Sequence, residues 1–175
     1  VRRFYKTATV SERDGAIAID LDGRSLKTPS KNPLRLPTRA AAQIVADEWA
    51  AQGEHIDFST MPATRHAYTA IDRVSLTREE VAQEVTRYAG SDLLCYFADA
   101  PTPLIARQTA AWGPLLDWAH EAEGLAFIRA SGISYQPQPP QTLESVEALA
   151  LGLDDFHLAG VAFGGAMVVS TILAL

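Results

Sequence analysis

Short stretches of alternating polar and apolar residues, separated by Asp-Gly pairs, make up the first third of the chain. Such alternation predicts β-strands that bury one face. Asp14-Gly15 and Asp22-Gly23 can supply the positive φ angles that tight reversals need. Strands joined by tight reversals form an antiparallel meander. The predicted strands cover residues 4–10, 16–21 and 25–28.

The spacing of apolar residues becomes helical from Thr38 onward. Thr38 follows a proline and is a suitable N-cap, and Gly53 is a suitable stop. Trp49 lies on the apolar stripe of this predicted helix, so we expect its ring to pack the helix onto the meander. A functional aromatic side chain on the surface is the alternative interpretation of Trp49.

A connector over residues 54–62 separates this region from a second part in which nearly every pattern is helical. Thr77 and Glu80 have the spacing of a capping box at the start of one of these helices. The sequence therefore predicts an α+β fold, in which a small N-terminal antiparallel β-meander with one helix is followed by a mostly helical domain. We expect the domains to cover residues 1–60 and 61–175.

The last stretch of the chain, residues 158–175, carries no charge and is long enough to cross a bilayer. Asp154 and Asp155 precede it, and neither a basic flank nor an aromatic belt marks a membrane interface. We therefore predict a central helix that is buried on every side in a soluble protein, without stable membrane insertion. Because the run reaches the last residue, we expect the helical domain to be truncated there.

The composition and charge narrow the range of functions. The chain has 175 residues and a formal net charge of −6. Nucleic-acid binding needs a basic stripe that neutralises phosphates, and the sequence contains none, so we expect no nucleic-acid partner. Cys95 is the single cysteine, which excludes an internal disulfide and suits a reducing compartment.

The sequence offers little to support catalysis. Its four histidines lack the spacing of a zinc site, and no P-loop, GxGxxG or GxSxG motif is present. Asp20 and Asp22 could pair as acid and base, but their places at a strand end and a turn favour structural roles. Cys95 has apolar and aromatic neighbours, where we expect a buried, inert thiol. These features favour a binding protein without catalytic residues, metal or cofactor.

A cluster of polar residues in the middle of the chain has two possible roles. Arg65, Tyr68, Thr69 and Asp72 fall on one face of a predicted helix over residues 64–74. Groups of this kind often connect a helix to other elements, so the cluster could be a salt-bridge network between the domains. The alternative, which we favour less, is a patch that binds a partner.

A series of short segments, in one order along the chain, resembles the assembly chaperones of ATP synthase that handle the alpha subunit of the catalytic head, the "ATP-twelve" family of mitochondria and alphaproteobacteria. Each segment alone is a weak signal, but together they span nearly the whole chain. The segments are residues 4–6 (FYK), 21–24 (LDGR), 27–29 (KTP), 36–38 (LPT), 48–49 (EW), 52–54 (QGE), 61–62 (MP), 69–74 (TAIDRV), 87–90 (RYAG), 92–96 (DLLCY) and 114–119 (PLLDWA).

The resemblance implies a non-enzymatic, ATP-independent chaperone with the α+β and helical organisation predicted above. Its expected partner is the unassembled alpha subunit, whose contact surface it would shield until the beta subunit replaces it. It implies a protein of the bacterial cytoplasm or the mitochondrial matrix, and we expect a monomer when free. It also implies a further acidic C-terminal segment that this sequence lacks.

We expect the partner to bind at a face between the two domains, where arginines can form bidentate pairs with partner carboxylates. The alternative is that these charges only hold the domains together. A small-molecule enzyme or binding protein with a polar inter-domain site is the second functional hypothesis. The candidate partner-binding residues are Arg24, Lys27, Pro29, Trp49, Arg65, Asp72, Arg73 and Asp92.

Overall fold

An antiparallel sheet followed mainly by helices forms the fold, which confirms the predicted α+β class. The structure is a computed structural model that describes residues 1–13 and 15–175. The strands of the sheet are β1 (Ala8–Arg13), β2 (Ala16–Leu21), β3 (Arg24–Ser25) and β4 (Arg35–Leu36). β2 pairs with β1 over its full length and also with β3 and β4. The meander is therefore built around one central strand.

The two predicted reversals lie on either side of β2. Gly15 has φ +72° and Gly23 has φ +78°, backbone conformations that glycine adopts without strain. Asp14, the other half of the first predicted turn, lies outside the described residues. β1 begins four residues later than predicted, because the backbone N–H groups of Lys6 and Thr7 bind the Asp22 carboxylate instead of a neighbouring strand.

The first helix, α1 (Arg39–Ala50), packs on β1 and β2. The hydroxyl of Thr38 accepts the N–H of Ala41 at 3.1 Å, which confirms the predicted N-cap. Trp49 faces inward and is 3% exposed, which confirms that it packs this helix into the core. Other large, fully buried side chains of this region are Ile19, Leu34, Val45 and Met61.

Contacts divide the chain into two compact units, Val1–Leu76 and Thr77–Leu175. The first unit therefore includes α2 (Pro62–Asp72), whereas a division at residue 60 would assign this helix to the second. α2 belongs to the first unit because it packs against α1 and because hydrogen bonds, described below, join it to the first unit at both of its ends.

The second unit is mainly helical. α3 packs against both α5 and α6, and β5 and β6 form a short parallel pair. The N-cap residue of α3 is Thr77, as predicted, but its side chain does not make the hydrogen bond to a helix N–H that the predicted capping box requires. The elements are α3 (Arg78–Ala89), β5 (Tyr96–Phe97), α4 (Thr102–Glu123), β6 (Ala130–Ser131), α5 (Pro140–Gly152) and α6 (Asp155–Val168).

The prediction of one buried helix over residues 158–175 is wrong in its length. α6 ends at Val168, and Val169 adopts a left-handed conformation with φ 54°. The chain then turns back, and the N–H of Ser170 donates to the carbonyl of Gly165. No signal of composition marks this end, because a valine rarely takes the left-handed conformation that closes a helix.

The prediction is also wrong about burial, because α6 has one buried and one exposed apolar face. Leu158 and Val161 are buried, whereas Phe163 and Met167 are each 68% exposed. A helix that is apolar all round gives no pattern from which its buried face can be read. Of the helices that the structure describes, none combines the length and apolar character that crossing a membrane requires.

Candidate interaction site

A pocket of about 560 Å³ lies beside the reversal between β2 and β3 in the first unit. Arg24 and Lys27, two of the predicted partner-binding residues, line it and are exposed. Segments 4–6, 21–24 and 27–29, which contributed to the family resemblance, each supply lining residues. Among the described residues, those that line it are Phe4, Tyr5, Leu21, Asp22, Arg24, Ser25, Leu26 and Lys27.

Asp22 shapes one wall of this pocket. Its carboxylate accepts the backbone N–H of Thr7 at 2.8 Å, that of Lys6 at 3.0 Å, and the hydroxyl of Thr7 at 2.9 Å. These hydrogen bonds, first among them the one from the Thr7 backbone, lower the pKa of Asp22. Asp22 therefore holds the segment that carries Phe4 and Tyr5 against the turn.

Asp20 and Asp22 do not form a carboxylate pair. Asp20 is buried and accepts a hydrogen bond from Nη2 of Arg13 at 2.6 Å. This hydrogen bond is the main cause that lowers the pKa of Asp20, although burial opposes it. Both carboxyls thus have lowered pKa values and separate partners, which suits structural roles rather than a shared proton.

Asp72, at the end of α2, binds the loop over residues 28–32. Its carboxylate accepts the hydroxyl of Thr28 at 2.6 Å, the side-chain amide of Asn32 at 2.9 Å, and the N–H of Ser30 at 3.1 Å. Burial opposes its ionisation, but these hydrogen bonds outweigh burial and lower the pKa of Asp72. Asp72 therefore fixes the loop that carries Pro29 and follows Lys27.

The remaining surface candidates of the first unit lie on α2 or directly after it. Arg65 and Arg73 are exposed, and so is Pro29 in the adjoining loop. Tyr68, on the same helix, is partly buried against the ring of Phe58, and burial raises the pKa of its hydroxyl to about 12. Among these residues, the exposed side chains of Arg65 and Arg73 are the charged groups that a partner could contact directly.

Trp49 has a packing role. Its ring lies 5.5 Å from that of Tyr5 and 6.0 Å from that of Phe58, both in edge-to-face contacts. The hydroxyl of Tyr5 also donates to the backbone carbonyl of Trp49 at 2.7 Å. Trp49 thus supports the pocket from behind, through Tyr5, without reaching the surface.

Asp92 belongs to the second unit and is fully buried. It caps the short 3-10 helix Leu93–Cys95 by accepting the N–H of Leu94, and it accepts the N–H of Ile172 at 3.0 Å. Burial is the largest influence on this carboxyl and raises its pKa, against the effect of the hydrogen bonds. Its observed contacts are those of a residue that anchors the C-terminal turn.

The thiol of Cys95 is buried, as expected. Burial, reinforced by the charge of Asp92, raises the pKa of the Cys95 thiol to about 12, so the reactive thiolate is scarce at neutral pH. Among the residues that the structure describes, no three His, Cys, Asp or Glu side chains lie together as a metal site would require.

Two important residues were not identified from the sequence. Phe4 lines the pocket and is 69% exposed, whereas its neighbour Tyr5 is buried. Successive side chains of an extended segment point to opposite sides, so the predicted strand over residues 4–10 was the signal that could have shown one of these two aromatic residues to be exposed. Glu48 accepts the N–H groups of Ala63 and Thr64 at 2.7 and 2.8 Å and so caps α2. No local sequence signal shows a cap that comes from a different helix.

Comparison with known proteins supports a single family. Residues 2–120 match the sequence model described as ATP12 chaperone protein. The chain is 25% identical over 170 residues to the mitochondrial protein atp12 of Schizosaccharomyces pombe, and the match covers 90% of this chain. It spans only 58% of the length of that relative.

Solved structures agree over almost the entire chain. The crystal structure of Atp12 from Paracoccus denitrificans has a TM-score of 0.91 and 39% sequence identity, and the match covers 99% of this chain and 74% of that one. The D202K mutant of the Paracoccus protein gives the same values. The Atu1473 protein of Agrobacterium tumefaciens has a TM-score of 0.89 at 39% identity, with 99% of this chain and 65% of that one covered.

The sequence resemblance, the matched family model and the shared fold therefore agree. The family model covers more than half of the chain, and the structural match extends over both compact units. The chain belongs to the ATP12 chaperone family.

Proposed function

We propose that this chain is an ATP-independent assembly chaperone that binds the unassembled alpha subunit of the F-type ATP synthase. In this proposal it shields the subunit-contact surface of alpha until the beta subunit replaces it. Family membership is the observation that carries the proposal, because the match to the ATP12 chaperone model covers residues 2–120. The proposal includes the absence of catalysis and a location in the bacterial cytoplasm or the mitochondrial matrix.

The physical need for such a protein follows from how oligomers assemble. A subunit made before its neighbours exposes the apolar surface that it will later bury, and such surfaces aggregate. A protein that covers this apolar surface prevents the aggregation. Its affinity must be lower than that of the final subunit contact, because release would otherwise fail.

The surface cations of the first unit are the proposed contact points with the partner. Arg24 and Lys27 lie at the pocket, and Arg65 and Arg73 lie at α2. Arginine can form bidentate hydrogen bonds with carboxylates and is enriched among the residues that dominate binding energy. Asp72 holds residues 28–32 in place, so Lys27 is presented next to a fixed loop.

Co-purification tests the proposed partner. The tagged chain is mixed with purified alpha subunit, with and without ATP, and the complex is isolated. Alpha should be retained equally in both conditions, and added beta subunit should release it. Retention that needs ATP would contradict the ATP-independent mechanism, and retention of beta in place of alpha would contradict the choice of partner.

A further inference from the structure

The pocket beside the β2–β3 reversal combines an apolar floor with an exposed aromatic ring. Tyr5 and Leu21 are each 5% exposed and Leu26 is 9% exposed, so these side chains form a fixed base. Phe4 is 69% exposed, and its ring meets that of Tyr5 edge to face at 5.4 Å. An apolar group that enters the pocket would cover the Phe4 ring. Removing the apolar surface of the ring and that of the entering group from water would favour binding.

The charged groups of the pocket favour an acidic ligand. Arg24 and Lys27 are exposed, and neither forms an ion pair with the residues that the structure describes. Asp22 is the one carboxylate among the lining residues that the structure describes, and it accepts the backbone N–H groups of Lys6 and Thr7. Two cations that have no ion pair within the described part of the chain therefore flank an apolar floor, and the Asp22 carboxylate has other hydrogen-bond partners.

The shape of the pocket also limits the ligand. A volume of about 560 Å³ is large enough for a few side chains and too small for a folded domain. The lining comes from the segment at residues 4–5 and from the β2–β3 reversal, which Asp22 joins. Such a preformed site loses little conformational entropy when a ligand binds.

We infer that this pocket receives an acidic segment of the unassembled alpha subunit that also carries a large apolar side chain. The apolar side chain packs against Phe4, Tyr5 and Leu26, and neighbouring carboxylates pair with Arg24 and Lys27. This inference rests on the proposed function, which names the partner but not the segment that it presents.

Paired variants test the two halves of the inference. Arg24→Glu/Lys27→Glu reverses the charges, and Phe4→Ala removes the exposed ring. Arg35→Glu on β4 and Ile44→Ala on α1 are the matched controls, because both side chains are exposed and lie outside the pocket. The affinity of each variant for purified alpha subunit is measured at low and at high salt, with thermal unfolding as the test of folding.

We expect the charge reversal and Phe4→Ala each to weaken binding about tenfold or more, as loss of a dominant contact does. The controls should stay within about twofold of wild type, the usual effect of surface changes. The effect of the charge reversal should shrink at high salt, and that of Phe4→Ala should not. A loss caused by the charge reversal alone would mean a simple anion site and would overturn the inference.

A photo-crosslinker identifies the captured segment. With p-benzoylphenylalanine placed at position 4, the crosslinked peptide of alpha should contain Asp or Glu beside a large apolar residue. Capture of a segment without carboxylates would overturn the inference. If wild type binds alpha and the pocket variants bind equally well, the inference fails while the proposed function stands; if wild type does not bind alpha, the proposed function itself fails.

Discussion

Asp72 shows how one side chain can determine the conformation of a surface loop. Three hydrogen bonds from residues 28–32 converge on its carboxylate, and two of them come from side chains. We expect Asp72→Ala to lower the free energy of unfolding by about 1–2 kcal/mol, because a partly exposed acceptor of several hydrogen bonds is lost. Urea unfolding at neutral pH measures this, and Asp47→Ala, an exposed acidic residue on α1, is the control.

The pH dependence of the same residue has a defined sign. The pKa of Asp72 is lowered from 3.8 in the folded protein, so its contribution to stability is complete above that value and is lost as pH falls through the folded pKa. The stability difference between wild type and Asp72→Asn should therefore narrow at acidic pH. A difference that stays constant down to the folded pKa would contradict the assigned hydrogen bonds.

Asp92 should behave in the opposite way. Burial raises its pKa above 3.8, so its favourable contribution is complete below that value and is lost as pH rises through the folded pKa. Asp92→Asn removes the ionisable group and keeps one carbonyl oxygen that can accept a backbone N–H. Its unfolding free energy should lack the decline of wild type between pH 3.8 and the raised pKa.

The sequence indicates that Asp72 could connect α2 to another element, but it does not show which residues form hydrogen bonds with it. Thr28 lies 44 positions away, and no periodicity connects the two. The burial of Asp92 could not be predicted either, because an aspartate is normally expected at the surface. The C-terminal turn, whose Ile172 donates its N–H to Asp92, covers this residue in the fold. Local composition therefore identifies polar residues more readily than their environments.

At the scale of elements, α1 and α2 are joined by a cap that crosses between helices. The side chain of Met61, the N-cap residue of α2, makes no cap hydrogen bond, and Glu48 of α1 accepts the N–H groups of Ala63 and Thr64 instead. Because a carboxylate at a helix N-terminus also interacts favourably with the helix dipole, the loss should be substantial. We expect Glu48→Ala to cost about 2–3 kcal/mol of unfolding free energy.

Hydrogen exchange locates this effect. The amides of Ala63 and Thr64 should lose protection in Glu48→Ala, while Asp47→Ala should leave them protected. Glu48→Gln keeps one carbonyl acceptor and should fall between the two. Equal protection in all variants would mean that packing of α2, rather than the cap, determines its N-terminus.

The elements also show where pattern analysis succeeds. Helix α1 was predictable because a Thr cap, an apolar stripe and Trp49 all agree. α6 was mispredicted because its composition is apolar on every face, so neither its end at Val168 nor its exposed Phe163 follows from a pattern. Agreement between independent local signals, rather than hydrophobicity alone, made an element predictable.

At the scale of the molecule, the α+β class followed from the change of period after Thr38, and the family followed from ordered motifs. The inclusion of α2 in the first unit did not follow from the sequence. Hydrogen bonds to Glu48 and from Thr28 to Asp72 join α2 to this unit, and no sequence pattern indicates them. The pocket did not follow from the sequence. Arg24 and Lys27 were candidates for a face between the domains, and the exposure of Phe4 depends on how Asp22 binds the N-terminal segment.

The proposed function requires that this chain keep the unassembled alpha subunit from aggregating. Light scattering of alpha, diluted from denaturant into buffer without ATP, measures this directly at increasing ratios of the chain. The account predicts that scattering falls to a minimum near equimolar chain, and that beta subunit then recovers alpha in a complex free of the chain. Undiminished scattering at a several-fold excess of correctly folded chain would contradict the account.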